Sequence, residues 1–245
     1  MGETPRQTTW MEPETGMMTR TCSQEDTAVG RREPAIDLRV LLFTVSEGKL
    51  RLAVVTSTSS ARLPRGWPSP GSSFDADAAR ILRQQLGVQE RYLEQLYTLN
   101  TSDSTDWTVV IAYMALVSTD EAGEPLTLGS WRNLEHASID DPADRRVIEY
   151  AIVRLRAKLG YTTIAFHLLP ALFTLGELQR TYEAVLDQSL DKRNFRRRIL
   201  GTGVLDETAG KRRDGSHRPA ALYQFRPPHD QEQFLTPSWV EGPTR

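Results

Sequence analysis

Phe173-Thr-Leu-Gly-Glu-Leu-Gln-Arg-Thr-Tyr-Glu-Ala-Val-Leu186 and, five residues on, Asp191-Lys-Arg-Asn-Phe-Arg-Arg-Arg-Ile-Leu-Gly201 decide how this chain is read. Thr174 and Glu177 stand three apart at the head of an apolar stripe. That spacing predicts a capping box, in which the threonine hydroxyl takes the Glu177 amide and the glutamate reaches back. Phe173 and Leu178 flank it as a hydrophobic staple. Leu178, Tyr182 and Val185 then carry one helix face to about Leu186. Asp191 caps a second helix, Lys192–Leu200, and Gly201-Thr-Gly203 ends it. Val204–Glu207 and Ala221–Phe225 read as two strands joined by a basic loop. A short helical stretch, Thr163–Leu169, closed by Pro170, comes first.

The order helix, helix, helix, hairpin is the plan of a winged helix-turn-helix, assigned to residues 161–226. Charge follows the same boundary. The whole chain of 245 residues is nearly neutral, at −2. Between Asp191 and Arg218, however, nine basic residues face four acidic ones, a net of +5 that leaves −7 for the rest. Phe195 and Ile199 are spaced i, i+4 and predict an anchor stripe against the preceding helices. Arg193, Asn194, Arg197 and Arg198 then project to the other side. Arginine pairs with guanine and asparagine with adenine in the major groove, so this face suits base reading. Lys192 and Arg196 add charge on the same helix. Lys211, Arg212, Arg213 and Arg218 fall in the hairpin loop, placed to grip phosphate or the minor groove, with His217 as an occasional companion. A solvated charge run is the plainer alternative. Glu177, Leu178, Tyr182 and Val185 read as scaffold, and Thr174 and Gln179 as residues near phosphate, although capping already accounts for Thr174.

Residues 35–160 read as one α/β unit. Ile36–Val45 and Leu50–Thr56 are strands around the turn Ser46–Lys49. Asp75–Leu86 has helical apolar spacing at Ala78, Ala79, Leu82 and Leu86, with Gly87 as its stop. Trp107–Val117 is a continuous apolar, β-branched run, the mark of a buried strand. Asp141-Pro142 opens a long helix with aspartate as N-cap and proline in the first turn. Its stripe is Val147, Ile148, Ala151, Ile152, Leu155 and Leu159. Residues 1–34 and 227–245 are aperiodic and read as tails.

The loop after the second strand and the Asp75–Leu86 helix together read Leu63-Pro-Arg-Gly-Trp-Pro-Ser-Pro-Gly-Ser-Ser-Phe-Asp-Ala-Asp-Ala-Ala-Arg-Ile-Leu-Arg-Gln-Gln-Leu-Gly-Val88. It resembles the Nudix box, a loop and helix with glycine, arginine and four glutamates at fixed spacing. Gly66, Arg80, Leu82, Gly87 and Val88 match. The glutamate positions hold Ser72, Ile81, Gln84 and Gln85. In the Nudix family those glutamates hold a divalent cation beside a diphosphate, a task that needs anionic oxygen. The substitutions therefore predict a box without catalytic residues or metal, kept for shape and ligand binding. With no metal, cations must meet a ligand's phosphates, so Arg65, Arg80 and Arg83 are the candidates. Trp67, Trp107 or Tyr113 supplies a ring to stack on a base. Asp75 and Asp77 favour the positive N-terminus of the helix.

A Nudix-like unit followed by a winged helix resembles the NrtR family, the Nudix-related regulators of NAD metabolism. Phe173–Leu186, Leu190–Ile199 and Arg218–Phe225 carry the likeness most strongly. The resemblance implies an α-β-α sandwich with a small α+β winged helix-turn-helix after it. It implies a cytoplasmic repressor of NAD biosynthesis or salvage genes, a homodimer on a palindromic operator in double-stranded DNA. ADP-ribose, or a related nucleotide, is the implied effector, with no cofactor required. The alternative is a Nudix hydrolase of ADP-ribose-type substrates with an accessory nucleic-acid-binding module. Composition adds exclusions. A hydrophobic share of 39% with 25% charged residues is that of a globular protein. No apolar run approaches the ~20 residues that span a bilayer, so no membrane partner is expected. Met1–Gly30 has no apolar segment of signal-peptide type. Cys22, the one cysteine, predicts neither an internal disulfide nor a cysteine metal cage.

Overall fold

The computed structural model describes residues 34–56, 60–102, 107–118, 120–123, 125–134, 139–213 and 219–226. Both expected tails, Cys22, His217 and Arg218 lie outside these residues, apart from Pro34 at the end of the first tail.

Strand β1 (Ala35–Ser46) is the central strand, buried from Leu38 to Val45. Its near-continuous apolar sequence fits burial on both faces. It pairs antiparallel with β2 (Lys49–Thr56) through Phe43 and Leu52, and parallel with β6 (Trp107–Leu116) through Leu38 and Ile111. Glu47 and Gly48 both take positive φ, 52° and 70°, which is the backbone of a two-residue hairpin turn. The short strands β3 (Ala61–Arg62) and β4 (Arg65–Gly66) follow, then helix α1 (Phe74–Leu86) and strand β5 (Tyr92–Ser102). After β6 come β7 (Gly129–Asn133) and helix α2 (Pro142–Leu159). The sheet runs β3-β2-β1-β6-β5, with β4 paired to β1 and β7 to β2.

Alternate residues of β1 serve opposite layers. Leu38, Val40 and Leu42 meet Ala78, Ile81, Leu82 and Leu86 of α1. Leu41, Phe43 and Val45 belong to the cluster holding Val147, Ala151, Leu155 and Leu159 of α2. The result is the expected α-β-α sandwich. Gly87 ends α1 at φ 72° with its N–H on Arg83 O, and a Cβ there would strike Thr127. Only glycine satisfies both constraints.

The expected first helix of the second half is a 3-10 turn, Ile164–Leu168. The nine residues between Gly160 and Pro170 leave room for only a short turn, too little for a stable α-helix. Helix α3 (Leu175–Leu186) and helix α4 (Lys192–Gly201) lie as expected, followed by strands β8 (Leu205–Arg212) and β9 (Ala220–Phe225). Phe166, Phe173, Leu178, Tyr182, Phe195 and Ile199 join the same apolar cluster as Phe43 and the α2 stripe. The core thus runs without a break across residue 160. Arg156 of α2 also donates Nε to Val185 O at 2.9 Å.

Candidate nucleic-acid interface and ligand cleft

The Asp191 carboxylate accepts the Asn194 amide at 2.7 Å and starts α4. Phe195 and Ile199 are buried, and Phe195 meets Tyr182 edge to face at 5.4 Å. The anchor fixes the helix's rotation. At roughly 100° per residue, Arg193 and Arg197 then lie opposite it, and both are exposed. Lys192 and Arg196, also exposed, occupy one flank. Asn194 and Arg198 occupy the other and are half-buried, so Arg198 does not project freely as the sequence predicts. Arg198 sits about 80° from the anchor, on the flank it shares with Asn194, and that flank is the half-buried one. Arg197 Nη2 donates to Asn194 Oδ1 at 2.6 Å, so the two side chains form one polar surface.

The start of α3 is the expected capping box. Thr174 N donates to Glu177 Oε2 at 2.7 Å and Glu177 N to Thr174 Oγ1 at 3.1 Å. Glu177 does more than cap. Its Oε1 accepts Arg212 Nη1 at 2.7 Å, while Arg212 Nη2 reaches Leu172 O at 3.0 Å. Arg212 therefore ties β8 to α3 rather than standing in a loop. Strand β8 is longer than the sequence predicts because a register shift between Glu207 and Lys211 lets pairing resume at Lys211 with Ala221. Lys211 and Arg213 remain exposed at the end of the wing. Phe173 and Tyr223 exchange two backbone hydrogen bonds, at 3.0 and 2.8 Å, and dock the wing beside α3. Gln179 donates to Glu183 Oε1 and Leu190 O, and Leu190 N donates to the same Glu183 oxygen at 2.8 Å. Gln179 thus braces the turn between α3 and α4.

In the Nudix-like loop, Asp77 is almost wholly buried and organises its surroundings. Its Oδ2 accepts Ser69 N at 2.8 Å, and Arg80 Nη2 reaches its Oδ1 at 2.7 Å. The Ser69 amide, then the Arg80 guanidinium, hold this carboxyl below the usual range. Arg80 also donates to Trp67 O and Gln84 Oε1, at 3.1 and 3.2 Å. Arg80 is a brace for the loop, where the sequence offers it as a phosphate ligand. The four glutamate positions are similarly absorbed. Gln85 exchanges hydrogen bonds with the Arg65 backbone, donating to its O at 2.6 Å and accepting its N at 3.3 Å. Gln84 takes Arg80, and Ser72 Oγ donates to Ser73 O at 3.2 Å. Ile81 is 1% exposed in the core. Tyr113 is also core, with its OH on Asp75 Oδ1 at 2.7 Å, so it is no platform for a base. Trp67 and Trp107 are 64% and 51% exposed. Arg65 is half-buried and Arg83 exposed.

Beside Arg65 lies a buried charge cluster absent from the sequence reading. Arg39, on the central strand, donates to Asp37, Asp141 and Asp144 at 2.9, 3.0 and 2.6 Å. Burial pushes the Asp144 carboxyl up, against the pull of Arg39 and the Leu63 amide. Asp141 is held low: burial opposes ionisation, but Arg39, two α2 amides and Arg65 outweigh it. Arg62 is lowered by burial and then by the like charge of Arg65. Two cations therefore crowd the mouth of the loop. Two charges within the apolar run Ile36-Asp-Leu-Arg-Val40 were the signal available in sequence. Among the described residues, no group of three His, Cys, Asp or Glu is placed to hold a metal ion, and no helix is long and apolar enough to cross a membrane.

Residues 165–225 match the family model of the NrtR DNA-binding winged helix domain. The ADPR responsive transcriptional repressor NtrR of Acinetobacter baylyi is 31% identical over 207 residues, 78% of this chain and 82% of that protein. Shewanella oneidensis NrtR, in its crystal structure with a 27mer DNA, superposes with a TM-score of 0.68 at 26% identity, over 78% of this chain and 93% of that one. A MutT/nudix family protein from Enterococcus faecalis shares the fold, with a TM-score of 0.63 at 17% identity over 82% of this chain and 90% of the other.

Proposed function

The chain belongs to the NrtR family, and from that premise we propose that it is a transcriptional repressor, held on double-stranded operator DNA by α4 and the β8–β9 wing and released by ADP-ribose or a related nucleoside diphosphate. One observation carries this reading: Arg193 and Arg197 stand exposed on the face of α4 opposite its buried Phe195 and Ile199 anchor. The anchor fixes which face points outward, and that face carries the groups that read bases in the major groove. Lys192, Arg196, Lys211 and Arg213 supply phosphate contacts at its edges. One relative is an ADPR responsive transcriptional repressor by name, and another is crystallised with DNA.

The Nudix-like half is read as the sensor. Ser72, Ile81, Gln84 and Gln85 do not fit a divalent cation, since none carries an anionic oxygen and Ile81 lies in the core. Arg62 and Arg65 are the better phosphate partners, because an anion relieves their mutual repulsion, and Trp67 offers a ring to a base. Arg83 remains a peripheral candidate. The target genes are those of NAD biosynthesis or salvage, in the cytoplasm. A homodimer reading a palindromic operator matches two winged helices to two half-sites.

The test is fluorescence anisotropy on the chain's own promoter DNA, with and without ADP-ribose. Arg193→Ala with Arg197→Ala should cost about 2–6 kcal/mol, at roughly 1–3 kcal/mol per lost base contact. ADP-ribose should weaken the parent's binding. A double variant that binds the operator as the parent does would mean that α4 is not the reading helix. The hydrolase alternative predicts AMP from ADP-ribose and Mg²⁺, read by chromatography.

A further inference from the structure

A second cleft, of about 510 Å³, opens at the far end of β1 from the Nudix-like loop. Gly66 and Arg65 pair with Leu38 and Arg39, whereas Lys49, on the cleft, pairs with Ser46. The seven steps from Arg39 to Ser46 span about 23 Å of extended strand, so the two places are distinct. One wall comes from the β1–β2 turn, the end of β7 and the half-buried flank of α2 that carries Ile152 and Arg156. The other comes from the last turn of α3 and Asp187–Ser189, the start of the turn into α4.

The lining is chemically uneven. Arg156 engages only its Nε, on Val185 O, and Lys49 has no ion pair among the described residues. Asn133 Oδ1 is buried and has no hydrogen-bond partner among them. Asp187 adds an exposed carboxylate, and Glu183 has one oxygen already filled by Gln179 and Leu190. Leu50, Leu134 and Ile152 provide an apolar floor. Two cations call for an anion. An orphaned amide oxygen and a carboxylate call for hydroxyl donors on the same molecule. The volume is that of a small-ligand pocket.

We infer that this cleft is a second small-molecule site that takes a phosphate monoester of a sugar or nucleoside, its phosphate on Arg156 and Lys49 and its hydroxyls on Asn133 and Asp187. Such a ligand touches the sandwich and the α3–α4 turn together. Glu183 fastens Leu190, and Asp191 beyond it caps α4. The occupant therefore shifts DNA affinity by as much as its affinity differs between the two settings of that turn. This coupling rests on α4 being the DNA-reading helix, whereas the binding itself does not.

Calorimetry on the full chain with ribose 5-phosphate, AMP and inorganic phosphate is the test. Both monoesters should bind at submillimolar concentration and inorganic phosphate more weakly. If AMP binds and ribose 5-phosphate does not, the ligand is a nucleotide, and the reverse selects a sugar phosphate. Lys49→Ala removes one charge-assisted contact and should weaken the monoester about tenfold. Ser189→Trp blocks the cleft and leaves its charges in place, and it should abolish binding. Melting temperature checks that both variants fold. Absence of binding at millimolar concentration overturns the proposal. So does binding unchanged in both variants but lost in Arg65→Ala, which puts the monoester in the Nudix-like loop. Operator binding without a probe is measured separately, and its failure sinks the repressor reading while leaving this site standing.

Discussion

Replacing Ile81 by glutamate restores one of the carboxylates that a metal-dependent Nudix box carries, and the structure predicts that the protein pays heavily for it. Ile81 is 1% exposed and packs among Leu38, Val40, Leu82 and Tyr113. Its side chain also closes on Gly66, where an added Cβ would lie only 3.2 Å from Ile81 Cγ1. Removing the branched side chain forfeits about 2–5 kcal/mol of burial and packing, by analogy with large-to-small core substitutions. The new carboxyl keeps part of that contact but must ionise in the core or stay protonated. Staying protonated at pH 7 costs about 1.4 kcal/mol for each unit above a normal glutamate pKa near 4.3, or roughly 3.7 kcal/mol. That sets the ceiling, because the group takes the cheaper course. At pH 5 the same term falls to about 1 kcal/mol. The sign follows: the folded-state pKa is raised, so stability is present at low pH and lost as pH rises. Urea unfolding of parent and variant at both pH values, followed by tryptophan fluorescence, measures this. A loss of several kcal/mol at pH 7 that shrinks by about 2–3 kcal/mol at pH 5 is expected. A variant less than about 1 kcal/mol below the parent at both pH values would refute the reasoning, since position 81 would then reach water.

Lys211 and Arg212 are neighbours with different expected phenotypes. Lys211→Ala should weaken DNA binding and lower the salt slope by about one, with melting unchanged. Arg212→Ala should remove a partly exposed pair worth about 0.2–1 kcal/mol and loosen the wing, seen as faster amide exchange at Tyr223. Arg80→Lys loses the two-point grip on Asp77 and Trp67 O, so the Ser69 amide should exchange faster even without ligand. The His167 ring lies tilted against Tyr92, centroids 5.1 Å apart, and burial, then Arg91, holds its pKa below the ordinary 6.5. The unfolded chain thus takes up a proton near pH 6.5 that the folded one refuses, so melting temperature should fall as pH drops from about 7 to 5.5. His167→Phe should flatten that fall, and an unchanged profile would acquit this residue.

Elements with a strong period or cap were legible in sequence. The Thr174 capping box, the Asp141-Pro142 start and the Phe195 and Ile199 anchor lie where residue spacing puts them. Strand β5 escaped because its register slips between Gln95 and Tyr97, turning Leu96 and Tyr97 to one side and breaking the two-residue alternation. Strand β7 is five residues of mixed polarity opening on a glycine, and β3 and β4 are two residues each, too short for any period to register. Among site residues, the outward pair Arg193 and Arg197 follows from helical geometry alone. The engagements of Arg80 and Arg212 do not. Arg212 meets a carboxylate 35 positions away, and Arg80 meets a carbonyl whose direction the loop's own turn decides. Tyr113 looked available for stacking because tyrosine suits both a surface and a core whose one polar atom finds a partner.

The Asp77 and Arg80 clasp has a further consequence for a cell. A loop held in shape by a bound divalent ion exists in two populations, whose ratio follows the free ion concentration. Here the counter-charge is covalently part of the chain and is always present at one equivalent. The curvature of residues 67–77 is thereby uncoupled from the supply of magnesium. A loop built this way keeps its own counter-charge, so a swing in divalent ions does not by itself remodel residues 67–77.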